Sequence, residues 1–528
     1  MRILLLFLVC ILSTSSAFAQ RNVILIIADD LGSDYCGFYE NHIDTVIMPN
    51  VRTLSERGIR FTNAWSNPLC SPTRAGILTG RYSFRTGVGN AVGNGTPVLD
   101  VNEITIPIML KAFSKSKVAT AQIGKWHLHQ ATPKSNLRIP NTMGYDHYEG
   151  NFLGVLTSYF AWPKVIDGVS DTCTNYATTE TVNNAVTWIQ ANRTKPYFLW
   201  LAFNAPHAPF HLPPKNLHSY QSLSGTEADI AADPKPYFKA AVEAMDREIG
   251  RLFDSLKANG DWENTDIIFI GDNGDDAKVA QTPGGAKGSV YQEGISVPFI
   301  IAGPSVIAPN RVSDALVNTQ DLFGTILEIF GDTAWAGHIP IPIKVDSKSL
   351  VPILKNQATS VRDWAFSEVF KVPTVAGDGK TMRNKDYKLL DFDNGTQKFY
   401  HLTADPNEST DLLKSALTAE QQSNYTYLCN QMSTLVGSGR FCDLTSVDEE
   451  YPSQDGNPDH STPNPFTAHI QPPRMSENTH SVLTNATGQV VFDGLHIERY
   501  DFTQLTPGLY ILRSKTGEAI DIVKLLKK

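Results

Sequence analysis

Asn-Val-Ile-Leu-Ile-Ile-Ala, residues 22–28, runs directly into Asp29 and Asp30. A nearly unbroken apolar run of this length, ended by charged groups, is typical of a parallel β-strand buried on both faces. The arrangement recurs in residues 118–123 before Gly124-Lys125-Trp126-His127, in 197–203 before Asn204-Ala205-Pro206-His207, and in 266–270 before Gly271-Asp272-Asn273-Gly274. Ligands bind at the carboxyl ends of strands in open α/β sheets, so we expect these strand ends to form one site.

The clearest helical pattern lies between the third and fourth of these strands. Residues 237–256 place apolar side chains at helical spacing, and Gly260 follows as a stop signal. Strands alternate with helices up to about residue 360, which predicts an α/β fold with a large, mostly parallel sheet flanked by helices. Residues 144–172 and 212–234 are expected to be loops that line the substrate subsites.

Composition narrows the class of protein. The chain has 528 residues and a net charge of −9, which argues against a nucleic-acid partner. Arg2, an apolar run over residues 3–12 and Ala17-Phe18-Ala19 before Gln20 predict a secretory signal peptide cleaved after residue 19. No later segment approaches the length of a membrane-spanning helix, so we expect an exported protein without membrane insertion.

Export permits disulfide bonds among the cysteines of the mature chain. Cys36, Cys173, Cys429 and Cys442 do not have zinc-site spacing, and Cys429 with Cys442 is the most local candidate pair. The spacing alone leaves that pairing open.

The remaining cysteine opens the run Cys70-Ser71-Pro72-Thr73-Arg74-Ala75-Gly76-Ile77-Leu78-Thr79-Gly80. Pro72 suits the first turn of a helix and Gly80 suits its C′ position, which places Cys70 at a helix N-terminus where an anion can bind. With Cys70, Pro72, Arg74 and Gly76 in place, the run resembles the formylglycine signature of the type I sulfatases. In that family the cysteine is oxidised to an aldehyde, 3-oxoalanine, whose hydrate attacks the sulfur of a sulfate ester.

The resemblance implies an alkaline-phosphatase-like fold and a metal site. The family's metal positions fall on Asp29, Asp30, Asp272 and Asn273, together with the modified Cys70. Oxygen ligands without histidine favour Ca²⁺, with Mg²⁺ second because it demands a more regular octahedron. Carboxylates crowded at strand ends would also repel one another without a cation, which was a second reason to expect one.

The resemblance also gives the basic residues roles in catalysis. Arg74 would hold the aldehyde hydrate, while Lys125 and Lys287 would neutralise sulfate oxygens. His207 would protonate the leaving alcohol, and His127 would help to release sulfate. Asp272 is a candidate base for the attacking hydroxyl. Catalysis would then proceed in two covalent steps.

The C-terminal third resembles two further known units. Tyr400-His401-Leu402-Thr403-Ala404-Asp405-Pro406 resembles the end of sulfatase C-terminal subdomains, which pack a small antiparallel sheet beside the main one. Pro463-Asn464-Pro465-Phe466, Pro507-Gly508-Leu509-Tyr510 and the basic end resemble the type IX sorting domain of Bacteroidetes. The alternative for this unit is a small β-sandwich that binds carbohydrate or only stiffens the C-terminus. The expected divisions are a signal peptide (1–19), catalytic domain (20–360), C-terminal subdomain (361–445), linker (446–462) and small all-β sorting domain (463–528).

The expected function is hydrolysis of sulfate monoesters in a sulfated carbohydrate, with an algal polysaccharide such as ulvan as the best candidate. The implied partners are a formylglycine-generating enzyme and the type IX secretion machinery, which would carry the chain through the periplasm to the cell surface or the medium. Two alternatives stay open: a phosphonate or phosphodiester hydrolase of the same superfamily, and a non-catalytic glycan-binding protein.

Overall fold

A ten-stranded sheet is the framework of the larger of two units into which the chain divides, Met1–Asp443 and Leu444–Lys528. The structure is a computed structural model. It describes residues 21–437 except 40, 41, 43, 94–96, 115, 116, 283–285, 373, 374 and 376, then residue 470 and residues 479–527 except 486–489, 498–500, 517 and 518. The expected signal peptide (1–19) and linker (446–462) lie outside the described residues, as does Cys442, so the Cys429–Cys442 pair stays a prediction.

The strands of this sheet, in chain order, are β1 (Asn22–Asp29), β2 (Gly58–Trp65), β3 (Ala119–Gly124), β4 (His147–Gly150), β5 (Trp162–Ile166), β6 (Val169–Cys173), β7 (Tyr197–Pro206), β8 (Thr265–Gly271), β9 (Phe299–Ala302) and β10 (Arg311–Asn318). Their order across the sheet is β10-β2-β9-β8-β1-β7-β3-β4-β5-β6. The central strands β8, β1, β7, β3 and β4 are all parallel to their neighbours in that run, whereas β9, β5 and β6 pair antiparallel. The predicted mostly parallel sheet is confirmed.

Helices cover both faces of the sheet. Their bounds are α1 (Pro49–Glu56), α2 (Cys70–Thr79), α3 (Ser83–Thr86), α4 (Ile106–Phe113), α5 (Ile139–Thr142), α6 (Ala177–Asn192), α7 (Glu227–Ala232), α8 (Lys235–Asn259), α9 (Gln292–Ile295), α10 (Asp321–Ile329), α11 (Val351–Leu354) and α12 (Ala419–Val436). The predicted helix over residues 237–256 is α8, and Gly260 ends it in the left-handed conformation at φ 75°.

Alternate residues of β1 enter two separate cores. Val23, Leu25 and Ile27 pack in one core with residues of α2, α4 and α10, whereas Ile24 and Ile26 pack in another with residues of α1, α6 and α8. Each fully buried side chain of this kind contributes about 1.5–3 kcal/mol. The apolar run before Asp29 therefore forms the expected strand because both of its faces need apolar side chains.

A second sheet follows within the larger unit. It is antiparallel, in the order β11 (Ala365–Val369), β12 (Gly379–Arg383), β13 (Tyr387–Phe392) and β14 (Gln397–His401). Phe366, Met382 and Leu389 pack there with Tyr425 and Leu428 of α12. The predicted antiparallel subdomain sheet with one helix is present.

One expectation about loops was wrong. Residues 144–172, expected to be a loop, contain β4, β5 and most of the edge strand β6. Most residues of β6 are exposed, so this strand lacks the apolar pattern that reveals the central strands. Residues 212–234 include the short helix α7, which has no buried residue.

The smaller unit has its own antiparallel sheet. Its strands are β15 (His480–Asn485), β16 (Val490–Leu495), β17 (Gly508–Thr516) and β18 (Ala519–Lys527), in the order β16-β15-β17-β18. Leu483, Phe492, Tyr510 and Leu512 are part of its apolar core. None of the helices in the described parts of the chain is long and apolar enough to cross a membrane.

Candidate active site

The ends of the central strands lie level with one another. Ala28 of β1 pairs with Gly271 of β8, Ile27 pairs with Ala202 of β7, and Ala202 pairs with Gly124 of β3. Residues that follow these strands therefore meet at one edge of the sheet. Gly124 is required at this edge, because a Cβ there would lie 1.8 Å from the Ala202 carbonyl oxygen and its φ is 99°.

Four of the predicted metal ligands come together where β1 and β8 end. Asp29, Asp30, Asp272 and Asn273 are all buried. The backbone N–H of Asp30 donates to Asp272 Oδ1 over 3.1 Å, and Asn273 Nδ2 donates to Asp30 Oδ1 over 2.7 Å. These two hydrogen bonds fix the acidic residues of β1 against those of β8.

Cys70 is the first residue of helix α2, as predicted, with Leu69 in an extended conformation before it. Gly80 ends the helix in the left-handed conformation at φ 72°. The Cys70 thiol lies with carboxylate oxygens of Asp29 and Asp272 within 4.8 Å of one another. The start of α2 thus brings Cys70 to the same edge as the acidic residues.

Arg74 and Lys125 are wholly buried and paired with these carboxylates. Arg74 Nε and Nη2 donate to Asp272 Oδ2 over 3.0 and 2.7 Å, and Arg74 Nη1 donates to the Lys125 carbonyl over 2.9 Å. Lys125 Nζ donates to Asp29 Oδ2. A buried charge needs a partner of opposite charge. Removing either member of these pairs would leave the other charge buried and uncompensated.

His127 has a defined tautomer. Its Nε2 lies 3.0 Å from the Val92 carbonyl, which can only accept, so Nε2 carries the proton. Its Nδ1 therefore has no proton and accepts the hydrogen bond from the Cys70 thiol, over 3.1 Å. Burial, with the nearby charges of Lys125 and Arg74, holds the pKa of His127 well below its ordinary value. The neutral ring therefore presents a proton acceptor to residue 70.

His207 and Lys287 line the open side of the site. Their side chains are 12% and 16% exposed, against 0% for Arg74 and Lys125. Lys287 Nζ donates to Asp30 Oδ2 over 2.7 Å, and His207 Nε2 lies 3.6 Å from the same oxygen. Burial by itself would raise the pKa of Asp30, but His207 and Lys287 lower it below the ordinary value.

The residues present fit a hard divalent cation. Asp29 Oδ1 and Asn273 Oδ1 are buried and accept no hydrogen bond from any described residue. Burial is the main cause that raises the pKa of Asp29 to about 7, so the bare carboxylate is poorly stabilised. Two oxygens that accept no hydrogen bond, one of them 3.7 Å from Arg74 Nη2, lie among carboxylates and an amide and match the ligands of Ca²⁺ or Mg²⁺. Charge repulsion is a weaker argument than the sequence suggested, because Arg74, Lys125 and Lys287 already pair with the three carboxylates.

Tyr159 is a neighbour of the site that sequence reasoning missed. Its hydroxyl lies 2.6 Å from the Asn204 carbonyl and 2.7 Å from the His207 carbonyl, and its ring stacks on His211 with centroids 3.8 Å apart. A single tyrosine in a segment without an apolar pattern gives no sequence signal. Its contacts depend on the folding of residues 151–162 beside the end of β7.

Two family models match the chain. The sulfatase model matches residues 21–332, and the model described as N-sulphoglucosamine sulphohydrolase, C-terminal, matches residues 286–435.

Individual proteins are similar over most of the chain. A protein of Formosa agariphila named sulfatase is 28% identical over 493 residues, which cover 75% of this chain and 84% of that protein. The ulvan-active sulfatase of the same organism is 25% identical over 419 residues, which cover 75% and 77%. The crystal structure of Ps i-CgsB in complex with k-i-k-neocarrahexaose matches with a TM-score of 0.65 at 24% identity, covering 81% of this chain and 96% of that one. At that identity the likeness shows the fold alone.

Proposed function

This chain belongs to the sulfatase family and has its alkaline-phosphatase-like fold, and we propose that it hydrolyses sulfate monoesters of a sulfated carbohydrate through a formylglycine made from Cys70. It is a sulfuric ester hydrolase. The observation that carries the proposal is the meeting of Cys70 with Arg74, Lys125 and His127 beside an oxygen-rich cation site.

Two groups would complete the site. The hydrate of the formylglycine would supply one hydroxyl that attacks sulfur and a second that lets sulfate leave. Asp29, Asp30, Asp272 and Asn273, with residue 70, would hold Ca²⁺, or less favourably Mg²⁺, which would draw charge from the ester oxygens.

The chain's own residues would stabilise the charge of the sulfate group and transfer protons. Lys125 and Lys287 would counter the charge of the sulfate oxygens in a site where burial strengthens the interaction. Arg74 would orient Asp272 and residue 70 together. Both oxygens of Asp272 are already engaged, one by Arg74 and one by the backbone of Asp30, so Nδ1 of His127 is better placed than Asp272 to take a proton from residue 70.

His207 would protonate the leaving alcohol from Nε2. Its Nδ1 lies 2.6 Å from the Ala208 carbonyl, so that nitrogen keeps a proton throughout. To donate from Nε2 the ring must therefore be doubly protonated, and Asp30 at 3.6 Å stabilises that charge. After donation the ring remains as the Nδ1–H tautomer.

Tyr159→Phe should slow turnover of a carbohydrate sulfate about 10-fold in kcat, because one hydrogen bond of about 1.4 kcal/mol that orients the backbone of His207 is lost. KM should change little. An activated aryl sulfate, whose leaving group needs little protonation, should be turned over almost normally. Steady-state kinetics on both substrates checks this.

Tyr176→Phe is the matched control, because its hydroxyl contacts His211 and not the backbone of His207. It should leave kcat on both substrates near the wild-type value. Wild-type kinetics for Tyr159→Phe on the carbohydrate sulfate, or equal losses on both substrates, would exclude the positioning role.

The substrate is proposed to be an algal sulfated polysaccharide or its oligosaccharides, with ulvan first because one relative is named an ulvan-active sulfatase. Sulfate released from ulvan, carrageenan and fucoidan oligosaccharides should be measured, with the desulfated position located by NMR. Matched sulfate and phosphate esters of one alcohol should be assayed beside them. We expect turnover of the sulfate ester to dominate; preferred turnover of the phosphate ester would indicate a phosphonate or phosphodiester hydrolase, and no turnover would favour a glycan-binding protein.

The ends of the chain are proposed to direct its export. Residues 1–19 would be the signal peptide, residues 20–360 and 361–445 the two sulfatase domains, and 463–528, after the linker, a type IX sorting domain. A formylglycine-generating enzyme would mature Cys70. The four antiparallel strands of the smaller unit suit an all-β sorting domain. The proposed export route can be tested in the host, with and without type IX secretion. The chain should be assayed in the periplasm, on the cell surface and in the medium.

A further inference from the structure

A second group of carboxylates lies beside the active site and is not used by the proposed chemistry. Asp34 follows β1, Asp275 follows β8, and Glu293 lies in α9. One oxygen from each of these three residues lies within 4.8 Å of the others. Asp34 belongs to the segment after β1, and Asp275 belongs to the segment between Asn273 and Lys287. These two segments therefore meet at the group.

Each carboxylate of this group has an oxygen to which no described N–H or hydroxyl group donates, and Asp34 and Asp275 are within hydrogen-bond distance of each other when one of them carries a proton. Asp275 is wholly buried; its Oδ1 accepts from the Gly32 N–H over 2.9 Å, but its Oδ2 accepts no hydrogen bond from a described residue. Glu293 Oε1 accepts from the Thr282 N–H over 2.7 Å, whereas Oε2 is unpartnered, as is Asp34 Oδ2. A buried carboxylate oxygen without a donor or a cation is strongly destabilised.

In the described part of the chain, no lysine or arginine compensates the charge of this group. Among the described residues, no lysine or arginine nitrogen lies within 4.0 Å of these three carboxylates, whereas each active-site carboxylate has such a partner. A positive charge on His42 would lower the pKa of Asp34. Burial, however, lowers the pKa of His42 itself and so favours its neutral form.

The backbone leaves these oxygens close together. A Cβ on Gly32 would lie 2.4 Å from Asp34 Oδ1 and 2.9 Å from Asp275 Oδ2, so a side chain at position 32 would displace these carboxylates. Asp34 and Glu293 also line a cleft of about 1190 Å³, which none of the predicted catalytic residues lines. An ion and its remaining water ligands can reach the group from this cleft.

We propose that Asp34, Asp275 and Glu293 bind a second divalent cation, Ca²⁺, separate from the active-site cation. The group offers three carboxylates and, among the described residues, no histidine or cysteine, which suits Ca²⁺ better than Zn²⁺. Ca²⁺ is also preferred to Mg²⁺, because it tolerates an irregular arrangement of oxygen ligands. The ion fixes the loop that carries Lys287, since the Lys287 N–H donates to the Asp275 carbonyl over 3.0 Å.

The calcium content of the purified full-length chain tests this inference. After desalting, elemental analysis should find about two Ca²⁺ per chain in the wild type and about one in Asp275→Asn or Glu293→Gln. Asp272→Asn, in the active site, should also retain about one. Asp171→Asn, an exposed aspartate on β6, is the control with the same change of charge and should retain both. Added Ca²⁺ should raise the melting temperature of Asp272→Asn but not of Asp272→Asn with Asp275→Asn.

The possible outcomes separate the two sites. In one outcome the wild type holds one ion, Asp272→Asn loses it, and both Asp275→Asn and Glu293→Gln keep it. The second site is then wrong, and the active-site cation stands. Asp34 and Asp275 share a proton instead in that case. If calcium is lost from Asp275→Asn and Glu293→Gln but not from Asp272→Asn, the second site stands and the proposed active-site ligands are wrong. Glu293 is only half-buried, so its variant keeps the test valid if Asp275→Asn does not fold.

Discussion

Cys70→Ala is expected to lower kcat on aryl and carbohydrate sulfates by more than about 10⁴-fold, the scale on which a covalent nucleophile is lost. An alanine cannot be converted to the aldehyde, so no hydroxyl is left to attack sulfur. The fold should survive, because the thiol has little volume. The other residues of its helix are all buried and keep their packing. Inorganic sulfate release and the thermal melting curve measure the two effects.

Cys173→Ala is the matched control for this variant. Cys173 is also buried but lies at the end of β6 and has none of the proposed roles. It should keep wild-type turnover. Substantial sulfate release by Cys70→Ala would show that residue 70 is not the nucleophile precursor.

His207→Ala should lose about 10²–10⁴-fold in kcat on a carbohydrate sulfate, the range that proton donation contributes. On an activated aryl sulfate the loss should be much smaller, because that leaving group departs without a proton. Comparing kcat for both substrates checks the difference. His338→Ala, which removes a half-exposed histidine elsewhere, should change neither rate.

Equal losses on the two substrates would assign His207 to sulfate binding instead of proton donation. That result would also change the interpretation of Tyr159→Phe, since Tyr159 is proposed to act through His207. If His207→Ala shows the expected difference and Tyr159→Phe does not, only the positioning role is lost.

The parts of the fold that the sequence predicted are those in which local pattern and burial agree. β1 and α8 are long and regular, and their apolar residues are part of the two cores beside the main sheet. The convergence at the sheet edge was predictable too, because parallel strands end on the same side. The strands within residues 144–172 were missed because β4 has only four residues and because β6 is exposed and lacks the apolar alternation that would reveal it.

Contacts between distant side chains could not be predicted in the same way. The family resemblance implied Arg74 as a ligand of the hydrate, and that role stays a prediction. Nothing in the sequence indicated that its guanidinium also pairs with Asp272, 198 residues away. The Tyr159 hydroxyl and the carboxylates of Asp34, Asp275 and Glu293 likewise depend on tertiary packing. Such groups have no spacing signal because their partners lie on separate segments.

The most direct test of the central claim is the mass of the tryptic peptide 61–74, in which Cys70 is the one cysteine. It should be measured in protein from the native host, together with the specific activity of the same sample. The peptide should have the mass of an aldehyde at residue 70, and sulfate release should be proportional to the fraction of chains that carry the aldehyde. An unmodified thiol in protein that still releases sulfate at full rate would contradict the account.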